Sequence, residues 1–372
     1  MQTPTGRRSA LLAATAAAAA VPAALAAPAL AQTASGSPEV RWRMTSSFPR
    51  NLDVLYGTAE GIARRVAQLT DNRFQIRVFP AGEIVGGLQA LDAVQGGTLE
   101  AAHTASYYYV GKDPSFAFFT ALTFGLNSRQ MTAWSRHGGG AELAAELFRD
   151  YGAVGFTAGD TGAQMGGWFR REVRTPEDVR GLKFRIAGFA GQVFAKMGAV
   201  PTQVAAGDIY PALERGTLDA VEFVGPYDDE KLGFNRVAPF YYFPGFWEPG
   251  ARLHAMVGTR AWEALPDGYK AAFQVACAEA DSEMTSRYDH LNPQALRRLI
   301  AAGTQLRPWP RPILEAAWRA NNEVLEETAG RNERFKRILE SYRRYRDEQY
   351  TWFRVAENSF DNFAFTASQT VR

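Results

Sequence analysis

LDAVQGGTLEA (residues 91–101) reappears in outline as YPALERGTLDA (residues 210–220), and this internal repeat is the strongest indication of the fold. Each copy is typical of a short helix, a glycine that closes the helix in the left-handed conformation, and a following strand. The same predicted order of strand, helix and strand precedes each copy: Val40–Met44, Leu52–Thr70 and Phe74–Phe79 in the first half, and Phe184–Ile186, Gly188–Met197 and Val200–Val204 in the second. The chain therefore contains two similar strand–helix–strand–helix–strand units.

Such a unit folds into a parallel sheet with helices on both faces, because parallel strands need a right-handed crossover connection. Ligands of these sheets bind beyond the carboxyl ends of the strands. Two units with those ends facing each other can close on a small solute. We therefore expect a two-lobed α/β fold of the periplasmic binding protein type, with parallel or mixed sheets flanked by helices. A chance resemblance between two short stretches is the alternative.

The predicted first lobe comprises residues 32–157, completed by part of 246–300, and the second lobe comprises residues 158–245. Residues 260–372 are predicted to be a helical C-terminal region. Apolar and aromatic residues between Phe335 and Ala356 recur every three or four positions, which predicts a long helix. This helix either braces both lobes or packs against a second chain, so a homodimer is one of two open interpretations.

Composition limits the class of protein. The 372 residues are 46% hydrophobic and 22% charged, and a formal net charge of +2 gives no reason to expect a nucleic-acid partner or an anionic membrane surface. After the first residues, no apolar stretch of the sequence is long enough to span a bilayer. The single cysteine, Cys277, excludes a disulfide within one chain and is expected to be a small core residue.

The first 31 residues are typical of an export signal. Arg7 and Arg8 precede an uncharged, alanine-rich stretch, which is interrupted by two prolines and ends in ALA (residues 29–31), a small-x-small cleavage motif. The paired arginines favour a twin-arginine signal peptide that is cleaved after Ala31, and a membrane anchor is the alternative. We therefore expect a periplasmic protein that is not embedded in the membrane.

The sequence lacks the signatures of common enzymes. It contains no Gly-x-Ser-x-Gly elbow, no His-Glu-x-x-His zinc motif, no Gly-x-x-x-x-Gly-Lys phosphate loop and no dinucleotide fingerprint. The four histidines are too dispersed to suggest a zinc site. Asp228 and Asp229 could bind a cation, but acidic residues at a helix start are better explained by the helix dipole. We therefore expect a binding protein and not an enzyme.

Two charged residues stand out in apolar strands. Arg185 needs an acidic partner, since an unpaired buried charge is costly, and its planar fork suits either a ligand carboxylate or an internal one. Glu222 closes a second apolar strand, where its carboxylate would repel an anionic ligand unless a cation stood between them. Gln164, Glu222, Glu248 and a nearby main-chain carbonyl would offer oxygen ligands that suit a hard cation such as Na⁺ or Ca²⁺.

A family resemblance adds to this interpretation. TPEDVRGLKFRI (residues 175–186) resembles the signature of the solute receptors of tripartite ATP-independent periplasmic (TRAP) transporters, and FPAGE (79–83) and GTLD (216–219) match the same family. Within it, QMGGWF (164–169) and GPYDDEKLG (225–233) look like the branch that binds 2-oxoacids or lactate. The resemblance implies a receptor that delivers a small organic acid to the membrane subunits of the transporter, and a C-terminal helix that can support dimers.

The resemblance also implies the residues of the site. The cation would be held by Gln164, the Glu222 side chain, the Phe223 carbonyl and Glu248. The substrate would be bound by Arg185 at its carboxylate, by Tyr107 or Tyr108 through a hydrogen bond, and by Gln164, Phe223, Phe48, Trp168 and Trp247, of which Phe48 and the two tryptophans would line its hydrocarbon end. One departure from the branch is Phe223, which stands where a tryptophan is common and leaves the preferred ligand size open.

Two other functions are compatible with the sequence. One is a receptor for another carboxylate such as a C4-dicarboxylate, which would need a second cationic contact in the cleft. The other is a periplasmic metal-dependent enzyme that acts on 2-oxoacids, which an assay for turnover would distinguish from a receptor.

Overall fold

A computed structural model of the chain describes residues 37–370, so the predicted export signal lies outside the described residues. From Glu39 onward the chain forms one compact unit. The strands are β1 Val40–Ser46, β2 Phe74–Phe79, β3 Ala101–Thr104, β4 Ala153–Asp160, β5 Trp168–Phe169, β6 Lys183–Arg185, β7 Val200–Thr202, β8 Ala220–Val221, β9 Phe240–Phe243, β10 Arg252–Gly258 and β11 Gln305–Pro308. The α-helices are α1 Leu55–Leu69, α2 Ala90–Gln95, α3 Ser128–His137, α4 Gly140–Asp150, α5 Ala190–Lys196, α6 Ala206–Glu214, α7 Pro226–Leu232, α8 Thr259–Glu263, α9 Asp267–Ala301, α10 Arg311–Ala329, α11 Glu333–Phe353 and α12 Ser359–Thr370.

The strands form two mixed sheets, in the orders β2-β1-β3-β10-β4 and β11-β9-β5-β8-β6-β7. In the first sheet, β1 lies between β2 and β3 and is parallel to both. In the second, β6 lies between β7 and β8 and is again parallel to both. The repeated sequence units therefore have the same strand arrangement, and the predicted two-lobed α/β fold is confirmed.

The glycines of the repeat close equivalent helices. Gly97 follows α2 with φ 70°, and Gly216 follows α6 with φ 74°. The amide of the next residue, Thr98 or Thr217, then donates to a carbonyl of the last helical turn at 2.9 and 3.0 Å. A residue with a Cβ is disfavoured in this left-handed conformation, which is why glycine marks both positions.

Two strands from later in the chain complete the sheets. β10 is antiparallel to both β3 and β4, and so lies inside the first sheet. β11 lies in the region predicted to be helical, but it pairs in parallel with β9 at the edge of the second sheet. Both strands join by main-chain pairing with distant segments, which a local hydrophobic pattern does not reveal. The lobe boundaries given above remain a prediction.

The C-terminal helices brace both lobes. α9 packs against α1 and β4 beside the first sheet and against α7 beside the second. On α11 the buried Phe335 ring lies 4.7 Å from Phe118, near the first sheet, and 5.6 Å from Phe189, near the second. The bracing role of the predicted helix is therefore observed, although a π-helical segment at Arg354–Asn358 separates α11 from α12. Within residues 37–370, no helix has both the length and the apolar character needed to cross a membrane.

Candidate functional site

The two sheets direct their functional residues toward one region. Arg185 ends β6, and Glu222 directly follows the neighbouring strand β8. Tyr107 lies in the 3-10 turn Ser106–Tyr109 after β3 of the first sheet. Gln164 lies between β4 and β5, and Glu248 between β9 and β10, on connections that pass from one sheet to the other. These positions agree with ligand binding beyond the carboxyl ends of parallel strands.

Arg185 and Glu222 form a buried ion pair. Only 1% of the Arg185 side chain and none of the Glu222 side chain is exposed. Arg185 Nη1 donates to Glu222 Oε1 at 2.5 Å and to the Glu222 carbonyl at 2.6 Å, while its Nε donates to the Val204 carbonyl at 3.3 Å. Glu222 Oε1 also accepts from the Ala187 amide at 2.9 Å. The hydrogen bonds that the Arg185 guanidinium makes to described residues use Nε and Nη1, and none uses Nη2.

Three buried oxygens of this region have no donor in hydrogen-bond geometry among the described residues, although the Trp247 indole lies near Glu222 and the Gln164 amide near Glu248: Gln164 Oε1, Glu222 Oε2 and Glu248 Oε1. The other atoms of the same groups have partners. Gln164 Nε2 donates to Thr161 Oγ1 at 3.1 Å, and Glu248 Oε2 accepts from the Tyr107 hydroxyl at 3.4 Å. A buried acceptor without a donor is costly. An array composed only of acceptor oxygens suits a hard cation.

The electrostatics of the two carboxylates agree with this geometry. Burial raises the pKa of Glu222, although Arg185, the Ala187 amide and the nearby Trp247 indole act against the rise. Burial and the Glu222 charge together raise the pKa of Glu248 well above its usual range, because Arg185 opposes the rise only in part. The two acids therefore cannot both be ionised without strong compensation, and a cation between them would supply it.

A small cavity adjoins these residues. Its volume is about 10 Å³, which is about the space of one water-sized sphere. Phe48, Tyr108 and Phe223 contribute aromatic walls, and the Arg185 guanidinium lies 5.5 Å from the centre of the Phe223 ring. Burial raises the pKa of the Tyr108 hydroxyl above its ordinary value, so that it remains a neutral hydrogen-bond donor. The lobes meet closely here, and aromatic rings and tyrosine hydroxyls surround the small cavity.

The structure brings most of the predicted site residues together, but neither of the two tryptophans lines the cavity. Residues lining the cavity are Phe48, Leu55, Ala105, Tyr107, Tyr108, Thr161, Gln164, Arg185, Phe223, Val224, Ala251 and Leu253. Trp168 instead stacks on Tyr241 at 3.9 Å and donates to Asp229 Oδ2 at 3.0 Å. Trp247 packs in an aromatic cluster, with its ring centre 5.3 Å from that of Phe194.

Two supporting residues were not predicted for the site. Thr161 orients the Gln164 amide, and Asp229 holds Trp168 and the Tyr241 hydroxyl, the latter at 2.7 Å. No local pattern marks Thr161. Asp229 is indeed in the first turn of α7, as the dipole argument predicted, but it is also buried, which the acidic run does not indicate. Among residues 37–370, no three His, Cys, Asp or Glu side chains group as a metal site, so an amide and a main-chain carbonyl would have to complete any shell.

Comparison with known proteins identifies the family. The family model for bacterial extracellular solute-binding proteins of family 7, DctP, matches residues 45–332. The chain belongs to the DctP family. Its members are solute receptors, so the prediction of a binding protein and not an enzyme is confirmed. The DctP chain is 48% identical over 330 residues to the monocarboxylate 2-oxoacid-binding periplasmic protein of Nostoc sp., covering 89% of this chain and 90% of that one.

Solved structures of DctP relatives have the same fold. A TRAP transporter solute-binding protein from Bordetella bronchiseptica superposes with a TM-score of 0.89 at 47% identity, and the match covers 90% of this chain and all of that one. That relative is a mixed-occupancy dimer, in which one active site holds copurified calcium and picolinate and the other is an apo site. A TRAP periplasmic solute-binding protein from Pseudoalteromonas atlantica, with bound sodium and pyruvate, has a TM-score of 0.84 at 37% identity, covering 87% and 98%. The predicted membership of the TRAP receptor family is confirmed, and this family is extracytoplasmic.

Proposed function

We propose that this DctP receptor binds a small 2-oxo or 2-hydroxy monocarboxylate together with a hard cation, Na⁺ or Ca²⁺, and delivers the acid to the membrane subunits of a TRAP transporter. The observation that carries the proposal is the set of three unpaired, buried acceptor oxygens beside the Arg185–Glu222 pair. The relatives that bind pyruvate with sodium, and picolinate with calcium, support the same chemistry.

The cation follows from the balance of charge. Arg185 carries one positive charge, which Glu222 already neutralises through a direct contact. The substrate carboxylate and Glu248 would then add two uncompensated negative charges to a buried region. Like charges ~4 Å apart repel by about 4 kcal/mol at an effective dielectric of 20, which is roughly a thousandfold in affinity. A cation held by Gln164, Glu222, the Phe223 carbonyl and Glu248 would turn this repulsion into attraction.

The substrate carboxylate would bind Arg185 through the guanidinium nitrogen that the ion pair leaves free. Tyr107 and Tyr108 would donate hydrogen bonds from the first lobe, and burial favours the neutral donor form of both hydroxyls. Phe48 and Phe223, which line the cavity, would contact the hydrocarbon end of the acid. Trp168 and Trp247 are both packed against other aromatic rings. They would have to make their predicted contacts with the ligand from these positions.

A C4-dicarboxylate fits this site less well. Arg185 is the single cationic side chain among the cavity-lining residues, all of which lie in the described part of the chain. A second ligand carboxylate would therefore lack a counter-charge in a buried environment, which is strongly unfavourable. We also propose, from the sequence alone, that export uses a twin-arginine signal that is cleaved after Ala31.

A screen of ligands and cations by thermal shift tests this function. Pyruvate and related 2-oxoacids or 2-hydroxyacids are expected to raise the unfolding temperature in the presence of Na⁺ or Ca²⁺, because a ligand that binds only the folded state stabilises it. C4-dicarboxylates are expected to have a smaller effect. Stabilisation by a C4-dicarboxylate, and not by any monocarboxylate, would contradict the proposal, and product formation from a bound 2-oxoacid would favour the enzyme alternative.

A further inference from the structure

Gln203 connects the two lobes beside the proposed site. Its Oε1 accepts from the Gly188 amide at 3.2 Å, just beyond β6 of the second sheet. Its Nε2 donates to the Tyr108 carbonyl at 3.2 Å, just beyond β3 of the first sheet. One half-buried side-chain amide therefore joins the backbone that follows Arg185 to the backbone of the tyrosine pair.

The segments that Gln203 joins are in close contact with each other. Gly188 adopts φ 64°, and a Cβ placed on it would lie 2.4 Å from Cδ2 of Tyr107. The first lobe's Tyr107 ring thus packs directly on the second lobe's Gly188 backbone, and only glycine permits this approach. The Tyr107 hydroxyl then reaches Glu248 Oε2 at 3.4 Å.

The residue after Gln203 is bound to the proposed anchor. The Val204 carbonyl accepts from Arg185 Nε at 3.3 Å, while the Ala187 amide, one residue before Gly188, donates to Glu222 Oε1 at 2.9 Å. Gln203 itself and Gly188, its partner on the second lobe, are thus each one residue from a group that holds Arg185 or Glu222. Gln203 thus links the backbone of the tyrosine pair to residues that adjoin the ion pair.

We infer that Gln203 is a positioning residue that holds the tyrosine pair of the first lobe against the Arg185–Glu222 pair of the second, and so slows release of the bound acid. The inference rests on the proposed function. The bridge needs an amide, because the same side chain must accept from one lobe and donate to the other. A carboxylate at this position would keep the acceptor but turn a charge toward the Tyr108 carbonyl, and a thioether would lose both bonds.

The test compares Gln203→Met and Gln203→Glu with wild type in full-length mature protein, using the dissociation rate of pyruvate in stopped-flow fluorescence with saturating Ca²⁺. Both variants are expected to release pyruvate roughly tenfold faster or more, which is the loss of one or two hydrogen bonds of ordinary net strength. Calcium binding without pyruvate is expected to be unchanged, since Gln203 contacts none of the proposed cation ligands. Gln192→Met is the matched control, because Gln192 is exposed on α5.

The outcomes separate this inference from the proposed function. Failure of the wild-type protein to bind pyruvate would reject the proposed function and the inference with it. Wild-type binding with unchanged release rates in both Gln203 variants would reject the inference alone. A lower calcium affinity together with a lower unfolding temperature in the Gln203 variants would also reject the inference, because these changes indicate a structural role. If Gln203→Met does not fold, the rate at which Gln203→Glu releases pyruvate decides between these outcomes, because this variant retains the bond to Gly188.

Discussion

Nη1 of Arg185 donates to two oxygens of Glu222, the carboxylate Oε1 at 2.5 Å and the main-chain carbonyl at 2.6 Å. The two residues face each other because β6 and β8 are parallel neighbours, with Arg185 paired to Val221. The contact gives the arginine an internal partner and leaves Nη2 for a ligand. The two alternatives for Arg185, an internal ion pair and a ligand anchor, are therefore compatible with each other.

Replacing Arg185 by lysine is expected to weaken binding of the acid by roughly 2–5 kcal/mol. A lysine ammonium keeps the charge but cannot direct separate nitrogens to Glu222 and to the ligand. Calorimetric titration with pyruvate checks the prediction, and unfolding temperature establishes that the variant is folded. Arg298→Lys is the control, because Arg298 forms an exposed pair with Glu230 at 2.6 Å. Wild-type affinity in Arg185→Lys would show that the ligand carboxylate binds elsewhere.

Glu248→Gln is expected to stabilise the cation-free protein while weakening its binding of Ca²⁺. The pKa of Glu248 is higher in the folded protein than its value of ~4.5 in the unfolded chain. Its contribution to stability is therefore present below pH ~4.5 and is lost as the pH rises through the pKa of the folded state. A neutral amide avoids that loss but removes a charged ligand. Thermal unfolding without cations and calorimetry with Ca²⁺ test the two opposite effects, of which the second should be roughly tenfold or more. Unchanged calcium affinity would exclude Glu248 as a ligand.

The sequence predicts the framework of this site because the relevant signals are local. An arginine in an apolar strand, a glutamate at a strand end and two helix-closing glycines are each visible within a few residues, and Gly97 and Gly216 adopt the expected conformation. The contact of Arg185 with Glu222 is not local, because it depends on which strand lies beside β6. The sequence therefore leaves the partner of Arg185 open, and only the pairing of β6 with β8 decides it.

The aromatic residues show the same difference between local sequence signals and contacts with distant residues. The buried half of the predicted C-terminal helix, from Phe335 to Tyr342, packs within its own chain, as the bracing interpretation expects. Trp168 is expected to line the ligand because it belongs to the family motif QMGGWF (164–169). Its indole instead donates to Asp229, which is 61 residues away in the sequence. Such a partner has no signal in the residues around the tryptophan.

The exposed apolar residues lie further along the C-terminal region and predict a dimer. Trp352, Phe360, Phe363 and Phe365 are 59–75% exposed, and aromatic side chains on one segment favour association. We expect light scattering of the mature protein at micromolar concentration to give a dimer, and Phe360→Asp with Phe363→Asp to give a monomer. Asn362→Asp, which adds a charge on the same turn without removing a ring, should remain dimeric. A monomeric wild-type protein would leave α11 with only the bracing role.

Stability is expected to fall as the pH rises from about 4 to about 7, in part because of Asp228. Burial raises the pKa of its carboxyl to about 7, although the Tyr288 hydroxyl donates to it at 2.5 Å. The folded state therefore binds a proton that the unfolded state has released, so the stabilisation is fully present below the unfolded pKa and lost above the folded one. The slope is at most about 1.4 kcal/mol per pH unit for one group.

Asp228→Asn tests this assignment, since the amide can still accept from Tyr288 but does not titrate. Denaturant unfolding of the variant between pH 5 and 8, in the range of the raised pKa, should show a flatter pH dependence than wild type. Asp71→Asn is the control, because Asp71 is exposed and has a positive φ that asparagine tolerates. Equal slopes in wild type and Asp228→Asn would show that Asp228 does not titrate in this range.

The most direct test of the account is a calorimetric titration of pyruvate into exhaustively demetallated, sodium-free protein, repeated after adding Ca²⁺ or Na⁺. Since Glu222, Glu248 and the acid would otherwise repel one another, binding without a cation should be weaker by roughly a thousandfold, and either ion should restore it. Glu222→Gln should lose both the cation dependence and most of the affinity. Equal affinity for pyruvate with and without cations would contradict the bridging cation, and would leave Glu222 and Glu248 to be neutralised by protonation in the buried site.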